Sequence, residues 1–408
     1  MMGKINGRIL KRMKIQRIIA AALCLLLCAL VASGEEGAAQ LQSRHEETVV
    51  KALQMLTRFG SDDINLYSQP EYFIRKSAAW EILENFDRGW FTKTSRREFK
   101  NIRTENWTQV SDTEFCVDAY CDYVIGYSYA SFAETFHCGF HFCFRQTDAR
   151  KDVWQICDYH NLPLESEAEY AKAVTDANPG ISVYPVTGKS FEGYMTIISD
   201  PSRVFVGTID AFGSGREGMR INALTKKYGA AGGINGGGFS DAGGTGNGGQ
   251  PNGLIVSEGK QLRPHSPNGQ GCNVVVGFDE NDRLVVGKFS SVDGLRLRDA
   301  MAFNYMLVEN GRDVTQNITK SGYTTRTAIG QDASGRVLML VVKGRQPNSL
   351  GASIPDLAKV MLEYGAITAA NLDGGTSTCL YLGGQNVYSG YRLDVSRKLP
   401  AAFLIRAQ

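Results

Sequence analysis

Histidine is scarce in this chain, which has five among 408 residues, and only His265 lies beyond residue 180. This region therefore has too few histidines to favour a hydrolase that binds its metal through histidines or uses a Ser-His-Asp triad. His137, His141 and His160 lie in predicted strands, where we expect structural or solvated side chains rather than ligands. Clustered carboxylates for a two-metal site are absent from the sequence, as is a Gly-x-x-x-x-Gly-Lys-Ser/Thr loop. We therefore expect neither a metal nor a cofactor.

An excess of charge of either sign is also absent, because 44 Lys and Arg residues stand against 42 Asp and Glu residues. Nothing in this balance predicts a nucleic-acid partner. The chain is long for one domain and suitable for two. Apolar residues make up 43% of it, which is enough for substantial cores.

Long apolar runs are missing except near the N-terminus. Six basic residues between Lys4 and Arg17 precede an uncharged run over 18–33. This order is typical of a signal peptide, which we place at residues 1–33. A membrane anchor is the alternative, but the run is shorter than the ~20 residues that a spanning helix needs. In either case we expect an extracellular or cell-surface protein that meets the membrane only through this segment.

Five of the nine cysteines lie close together in the first half of the chain. Cys116 and Cys121 have the same spacing as Cys138 and Cys143, so a hairpin turning near Tyr129–Ala130 would align 116 with 143 and 121 with 138. The pattern fits cross-strand disulfides in an oxidising compartment, and it fits buried free thiols equally well. Zinc is less favoured, because a five-residue gap places the two cysteines of each strand on opposite faces.

The composition along the chain predicts two domains of mixed α+β and α/β class. An amphipathic helix over 44–59 and aromatic-rich alternating stretches predict a small α+β domain over 44–165, similar to NTF2-like accessory domains. Residues 166–182 form the predicted linker, because they are polar and include an Asn-Pro-Gly turn signal. Residues 183–408 are predicted to form one larger α/β domain with a mixed sheet.

Two segments in the second domain are built alike. In Tyr228–Gly238 and in Tyr364–Gly375, a helix-like stretch ends at Tyr-Gly, a short strand follows, and an asparagine stands before a glycine cluster. These asparagines are Asn235 and Asn371. Only the second segment carries a carboxylate, Asp373, so we place the chemistry there. Either glycine cluster could also be a simple hairpin turn.

The second segment completes a strand–helix–strand unit. An apolar strand over 337–342 precedes a helix that Ser353 caps and Gly365 ends, and a strand over 367–372 follows. We expect the two strands to be parallel, with a right-handed connection. Arg326 heads another apolar strand, where burial of an unpaired guanidinium is costly. Its natural partner is a carboxylate or a phosphate.

Five ordered motifs of this region resemble the phosphodiester glycosidase family over about residues 183–406. They are Asn235–Phe239, Gly253–Val256 with Gly259, Arg326–Gly330, Gly344–Gln346 with Ser349–Ala352, and Asn371–Ser377. The resemblance implies hydrolysis of a sugar-1-phosphodiester at the glycosidic C–O bond, which releases free sugar and a phosphomonoester. The predicted substrate is therefore a sugar-1-phosphodiester or a phosphoglycan.

The resemblance also implies roles for individual residues. Asp373 becomes the base or nucleophile, Arg326 holds the phosphate, and Asn371 and Asn235 orient oxygens of the sugar or phosphate. The remaining predicted substrate-binding residues are Gly236, Gly374, Gly375, Thr376, Ser377 and Arg345.

Glycosidases usually need two carboxylates, and only one is obvious here. Asp241 and Glu309 are possible second carboxylates, although both fit a solvated surface better. A phosphate leaving group is a weak base, so we also consider that no second carboxylate is needed. The leading interpretation is an exported glycosidase that acts on cell-surface or capsular glycopolymers. The alternatives are a non-catalytic envelope-glycan binding protein and a metal-dependent phosphodiesterase.

Overall fold

The protein is predominantly β in the part of the chain that this computed structural model describes. That part comprises residues 37–54, 74, 77, 94–127, 133–240, 247–266, 272–318, 321–346, 348–391 and 395–408. The predicted signal peptide, the hairpin turn near Tyr129–Ala130 and Asp241 lie outside the described residues. Among the described helices, none has the length and apolar character needed to cross a membrane.

The described secondary structure includes twenty-one strands and four α-helices. The helices are α1 (37–54), α2 (Glu165–Ala177), α3 (Ile221–Tyr228) and α4 (Ile354–Glu363). The strands are β1 (Thr94–Ser111), β2 (Glu114–Tyr127), β3 (Ala133–Asp148), β4 (Val153–Asn161), β5 (Ile181–Thr187), β6 (Glu192–Ile198), β7 (Val204–Thr208), β8 (Ala230–Asn235), β9 (Ile255–Ser257), β10 (Lys260–Arg263), β11 (Val274–Asp279), β12 (Leu284–Gly287), β13 (Leu297–Phe303), β14 (Met306–Glu309), β15 (Arg312–Asp313), β16 (Arg326–Asp332), β17 (Val337–Val342), β18 (Ala366–Leu372), β19 (Cys379–Leu382), β20 (Gln385–Ser389) and β21 (Ala401–Arg406).

The first four strands form a meander in the order β1-β2-β3-β4, and α1 packs against it. The register of β2 and β3 aligns Cys116 with Cys143 and Cys121 with Cys138, which confirms the alignment predicted from the cysteine spacing. The first pair forms a disulfide. The second pair is buried as free thiols, so each of the two interpretations applies to one pair.

A seven-stranded sheet follows, in the order β15-β14-β18-β16-β17-β6-β5. Two five-stranded sheets complete the fold, with the orders β10-β9-β13-β11-β12 and β20-β19-β8-β21-β7. Side chains of all three sheets meet in one apolar cluster, represented by Met339, Val274 and Ile234. The second half of the chain therefore buries its sheets around a shared core.

The prediction of a mixed, α/β-type sheet is wrong for the described strands, because every named strand pair is antiparallel. The strand–helix–strand unit of β17, α4 and β18 does place its two strands in the same direction. However, β16 lies between them and pairs antiparallel with both. A short turn pairs β16 with β17 locally, and β18 then joins the remaining edge of β16. Helix α4 thus crosses over one intervening strand.

The predicted helix signals in this unit are confirmed. Ser353 accepts a hydrogen bond from the Asp356 N–H and forms a capping box with it, and a proline occupies the first turn. Gly365, just after the helix, has a φ of 84°. Gly229 has the same position after α3, with a φ of 58°. Both helices end at a left-handed glycine that sends the chain into a strand.

The division into two domains at 166–182 and the NTF2-like class of the first remain predictions. The core of the N-terminal sheet consists of residues between 49 and 159, together with Leu350 from the second half. Residues 166–182 contain most of α2, whose Ala171 and Val174 pack into the core of the second half.

Candidate active site

The ends of β8 and β18 meet, although the two strands belong to different sheets. The Asp373 N–H donates to the Gly236 carbonyl over 3.1 Å, and the Asn235 side-chain amide donates to the Asp373 carbonyl over 2.8 Å. The two glycine-rich turns are therefore in direct contact. This contact fixes the backbone of Asp373 relative to the first segment.

Asn235 is fully buried at this junction. Besides donating to Asp373, it accepts through Oδ1 from the Thr327 hydroxyl over 2.7 Å and from the Cys379 N–H over 3.1 Å. Its amide thereby joins the starts or ends of four strands, β8, β16, β18 and β19. Because its hydrogen-bonding capacity is used inside the protein, Asn235 positions the carboxylate-bearing turn.

Asn371 is also buried and also binds backbone. Its Oδ1 accepts from the Tyr305 N–H over 2.8 Å, and its Nδ2 donates to the Leu372 carbonyl over 3.2 Å. Tyr305 lies between β13 and β14. Asn371 therefore holds that connection against the end of β18.

The first turn approaches β13 very closely. A Cβ at Gly236 would lie 2.5 Å from Met301 Sδ, and one at Gly237 would lie 2.4 Å from the Ala302 carbonyl oxygen. Any side chain at these two positions would force the elements apart. Gly236 and Gly237 thus allow the first turn to pack closely against β13. Of this glycine cluster, Gly238 lines the cleft described next.

A cleft of about 440 Å³ opens beside the second turn. Six of the ten residues predicted for the site lie on its walls, and they are Arg345, Asp373, Gly374, Gly375, Thr376 and Ser377. The other walls include residues of the first segment and of β13. The cleft therefore lies where the two matched segments and β13 converge.

The second turn is held by its own backbone. Asp373 Oδ1 accepts from the Gly374 N–H over 2.9 Å, and a 3-10 turn, Gly375–Ser377, follows directly. Gly375 has a φ of 61°, which glycine adopts at little cost. Its N–H donates to the Thr325 carbonyl over 3.1 Å, and its carbonyl accepts from the Thr325 hydroxyl over 2.6 Å. Thr325, the residue immediately before β16, thus fastens this turn.

Two arginines bring positive charge to the cleft. Arg345 has the uncommon φ of 63°, and its Nη2 would lie only 3.3 Å from a Cβ at Gly375. Arg397 is buried, donates from Nη1 to the Thr376 hydroxyl over 3.1 Å, and stacks over Phe239 at 4.8 Å. Guanidinium groups suit the recognition of phosphate oxygens.

Arg397 was not foreseen from the sequence. It lies in an ordinary polar stretch between a serine and a lysine, more than twenty residues after Asp373. Nothing in that local pattern distinguishes it from a solvated surface arginine, and only the tertiary structure brings it to the cleft.

Cys272 also lines the cleft and reports on the charge of Asp373. Burial and the nearby Asp373 carboxylate raise the pKa of the Cys272 thiol to about 11. The thiol is therefore protonated at neutral pH and unsuited to act as a nucleophile. The carboxylate remains the anionic group for chemistry among the described cleft residues.

Arg326 has an environment different from the predicted phosphate site. Its guanidinium donates to the Ser321 carbonyl, to the Gly322 carbonyl over 3.0 Å and to the Ala352 carbonyl over 3.1 Å. These bonds tie β16 to the loops that precede it and α4. Arg326 is not among the described residues that line the cleft, and its phosphate-binding role stays a prediction.

Neither suggested second carboxylate lies on the described walls of the cleft. Glu309 is exposed at the end of β14, and Asp241 lies outside the described residues. The described cleft thus combines one carboxylate, two guanidinium groups, two hydroxyls and glycine backbone. This set can neutralise an anionic oxygen and can activate or supply one nucleophile.

Residues 228–406 match the family model described as phosphodiester glycosidase. The resemblance inferred from the sequence motifs is therefore confirmed for this segment. This part of the chain is thus similar in sequence to phosphodiester glycosidase domains. The matched segment begins at the first Tyr-Gly and includes both glycine clusters and all residues of the cleft named above.

The chain is 28% identical over 226 residues to the SPbeta prophage-derived uncharacterized protein YomE of Bacillus subtilis (strain 168). That match covers 50% of this chain and 33% of YomE, so the chain spans about a third of that relative's length.

Two solved structures are similar at low identity. One is the zebrafish N-acetylglucosamine-1-phosphodiester alpha-N-acetylglucosaminidase catalytic domain auto-inhibited by pro-peptide, at 21% identity and a TM-score of 0.47, covering 58% of this chain and 86% of that one. The other is a hypothetical protein from Synechocystis, at 13% identity and a TM-score of 0.39, covering 76% of this chain and 81% of that one.

Proposed function

We propose that this protein hydrolyses sugar-1-phosphodiesters at the glycosidic C–O bond and releases free sugar and a phosphomonoester. The observation that carries the proposal is the meeting of Asp373, Arg345 and Arg397 in one cleft of the phosphodiester glycosidase domain. One carboxylate and two cationic side chains line the same cleft. The cations suit the phosphate of the substrate, and the carboxylate suits reaction at its anomeric carbon.

The two arginines are the proposed phosphate-binding groups. A phosphodiester carries one negative charge, and the departing phosphomonoester gains a second as the C–O bond breaks. Guanidinium groups bind phosphate oxygens through two parallel N–H donors, so they stabilise this developing charge. We assign this role to Arg345 and Arg397, because their side chains line the cleft.

Asp373 is the proposed catalytic carboxylate. It either takes a proton from a water that attacks the anomeric carbon or attacks that carbon itself, and the electron pair of the C–O bond goes to the phosphate oxygen. In the second route, water then hydrolyses the glycosyl ester of Asp373 and releases the sugar. The first route inverts and the second retains the anomeric configuration. Direct NMR observation of the first-formed sugar anomer distinguishes the two routes.

Departure of a phosphate needs little protonation, because a phosphomonoester is a weak base compared with an alkoxide. This reasoning accounts for a cleft with one carboxylate among the described residues. Rates should be measured for a series of sugar-1-phosphodiesters that differ in the aryl group on the phosphate. We expect them to fall steeply as the pKa of the leaving phosphate rises. A flat dependence would indicate a proton donor that this proposal lacks.

We further propose that the protein is exported and acts on cell-surface or capsular glycopolymers. The basic and apolar N-terminal segment supports export, and the match to the phosphodiester glycosidase family model supports the substrate class. The N-terminal sheet, if it folds as a separate domain over 44–165, would position the enzyme or recognise the polymer.

The decisive experiment is incubation with a panel of sugar-1-phosphodiesters in water enriched in ¹⁸O. Free sugar and phosphomonoester are measured separately, and we expect the label in the sugar. Label in the phosphate would indicate P–O cleavage and would favour a metal-dependent phosphodiesterase. Binding of these compounds without turnover by the wild-type protein would favour a glycan-binding protein.

A further inference from the structure

The outward face of the N-terminal sheet carries a compact group of sulfur, imidazole and carboxylate side chains. Cys116 and Asp118 lie two positions apart on β2, and the register places them opposite Cys143 and His141 on β3. Side chains two positions apart share a face of a strand. All four therefore project from the same side of the sheet, away from the aromatic core.

A chain of hydrogen bonds orients the imidazole of this group. Asn106 Nδ2 donates to Asp118 Oδ2 over 2.8 Å, and His141 Nδ1 lies 2.6 Å from Asp118 Oδ1. Because a carboxylate only accepts, a neutral imidazole in this position carries its proton on Nδ1 and leaves the lone pair on Nε2. That Nε2 lies 3.5 Å from Cys143 Sγ.

This arrangement is that of a histidine prepared for a metal ion. A metal-binding imidazole typically donates its other ring N–H to a carboxylate, which fixes its orientation and raises its basicity. Here the free nitrogen faces sulfur atoms, which are ligands that zinc prefers. The ligand atoms of Cys116, His141 and Cys143 all lie within 4.8 Å of one another. A tetrahedral zinc ion needs ligand atoms about 3.5–4 Å apart.

We propose that reduction of the Cys116–Cys143 disulfide converts this group into a Zn²⁺ site with Cys116, Cys143 and His141 as ligands. A water completes the four positions. The same two sulfurs thus have two alternative uses, a covalent bond under oxidising conditions and a metal site under reducing conditions. The inference is independent of the hydrolytic activity proposed above.

The chemistry balances as two separate steps. A dithiol reductant supplies two electrons and two protons, the S–S bond breaks, and the reductant becomes a disulfide. Each cysteine thiol then loses its proton to solvent as it forms a bond to zinc, and the metal keeps its oxidation state. Nδ1 of His141 keeps its proton throughout.

The cysteine spacing that disfavours zinc in the sequence does not apply to this site. The five-residue gap does separate the two cysteines of one strand onto opposite faces. The proposed ligands instead come from opposite positions on two strands. The second pair, Cys121 and Cys138, has the same cross-strand alignment but is buried in the apolar core. It therefore serves as a matched control within the chain.

The test is zinc binding by the full-length protein before and after reduction with dithiothreitol, which is removed before titration against a chromophoric zinc chelator under anaerobic conditions. We expect one zinc ion per reduced chain and none per oxidised chain. Cys116→Ser with Cys143→Ser should abolish binding, whereas Cys121→Ser with Cys138→Ser should retain it. Asp118→Asn should weaken the affinity about 10–100-fold.

Cobalt substitution provides a readout that a merely structural effect would not produce. The reduced wild-type protein should give thiolate-to-cobalt charge-transfer absorption, and His141→Ala should change the visible bands. Equal binding by oxidised and reduced protein, or binding that survives the loss of Cys116 and Cys143, would overturn the proposal. So would loss of the folded circular dichroism spectrum on reduction alone, because no preformed site would then exist.

Discussion

The two matched segments, Tyr228–Gly238 and Tyr364–Gly375, share the order of helix, left-handed glycine, strand and asparagine, yet they end differently. The first ends in glycines that pack against β13, so it brings backbone to the junction. The second ends in Asp373, whose carboxylate lies at the cleft.

The difference shows how a repeated local pattern acquires chemistry at one copy. Both asparagines are buried and bind backbone groups, and Asn235 binds the carbonyl of Asp373 itself. The first segment thus supports the second. We therefore expect substitution of Asp373 to reduce turnover and substitution of the supporting asparagines to reduce the free energy of unfolding.

The largest effect is expected for Asp373→Asn. We expect kcat for a sugar-1-phosphodiester to fall about 10²-fold or more, because the only described carboxylate of the cleft is lost while the shape is kept. Glu309→Gln is the control, and its kcat should change less than twofold. Equal losses in both variants would contradict a specific catalytic role for Asp373.

The same variant has a readout that does not depend on activity. Removing the charge of Asp373 should lower the pKa of Cys272 from about 11, because that carboxylate disfavours the thiolate. The pH dependence of Cys272 alkylation, followed by mass spectrometry, measures the change. An unaltered pKa would mean that the carboxylate does not face the cleft.

The next largest effects are expected at the two arginines of the cleft. Arg345→Gln and Arg397→Gln should each lower kcat/KM for the phosphodiester about 10²–10³-fold, as expected for loss of a donor to a charged transition state. On an aryl glycoside without phosphate the loss should be much smaller. Steady-state kinetics on both substrates measure this difference.

Arg326→Gln is the comparison variant. Its guanidinium donates to three backbone carbonyls, so we expect a loss of unfolding free energy of about 1–3 kcal/mol and a change in kcat/KM below tenfold. A phosphate-specific loss as large as that of Arg345→Gln would restore the role first predicted for Arg326.

A smaller effect distinguishes the two asparagines. Asn235→Ala removes three hydrogen bonds, to the Asp373 carbonyl, the Thr327 hydroxyl and the Cys379 N–H, so we expect a loss of about 3 kcal/mol in unfolding free energy. Asn371→Ala deprives chiefly the Tyr305 N–H and should cost about 1–2 kcal/mol. Urea unfolding measures both. The reverse order would show that the first segment does not support the second.

The last effect should be the same in both segments. Gly229 and Gly365 adopt positive φ, and no atom lies within 4 Å of the place that a Cβ would occupy, so alanine meets strain but no clash. We expect Gly229→Ala and Gly365→Ala each to cost about 1–2 kcal/mol in unfolding free energy, without loss of turnover at saturating substrate. Unequal costs would indicate that the two helix ends are not equivalent.

Local signals in the sequence predicted a strand register, the ends of one helix and one turn of the site. Equal cysteine spacing predicted the register of β2 and β3, because antiparallel partners keep a constant sum of residue numbers. Ser353 and Gly365 marked the ends of α4, because capping depends on nearby backbone groups. The consecutive residues Asp373–Ser377 were placed together at one site, because neighbours in a turn share one surface.

Other features depend on contacts between distant segments. The amino-acid order of β17, α4 and β18 fixes their shared direction, but it does not reveal that β16 lies between the two strands. Likewise, the cost of burying Arg326 predicted a partner but not its identity, since backbone carbonyls satisfy a guanidinium as well as a phosphate does. Arg397 gave no local sign of its position in the cleft.

The sequence by itself determined the helix ends, the hairpin register and the carboxylate-bearing turn, since each rests on interactions between residues close in the chain or on a constant alternation. The tertiary structure alone decided which strands became neighbours and which arginines reached the cleft. Those outcomes depend on how three sheets bury a shared apolar core, and burial of apolar surface is not directional. The core fixes the positions of distant polar groups only once the whole domain has packed.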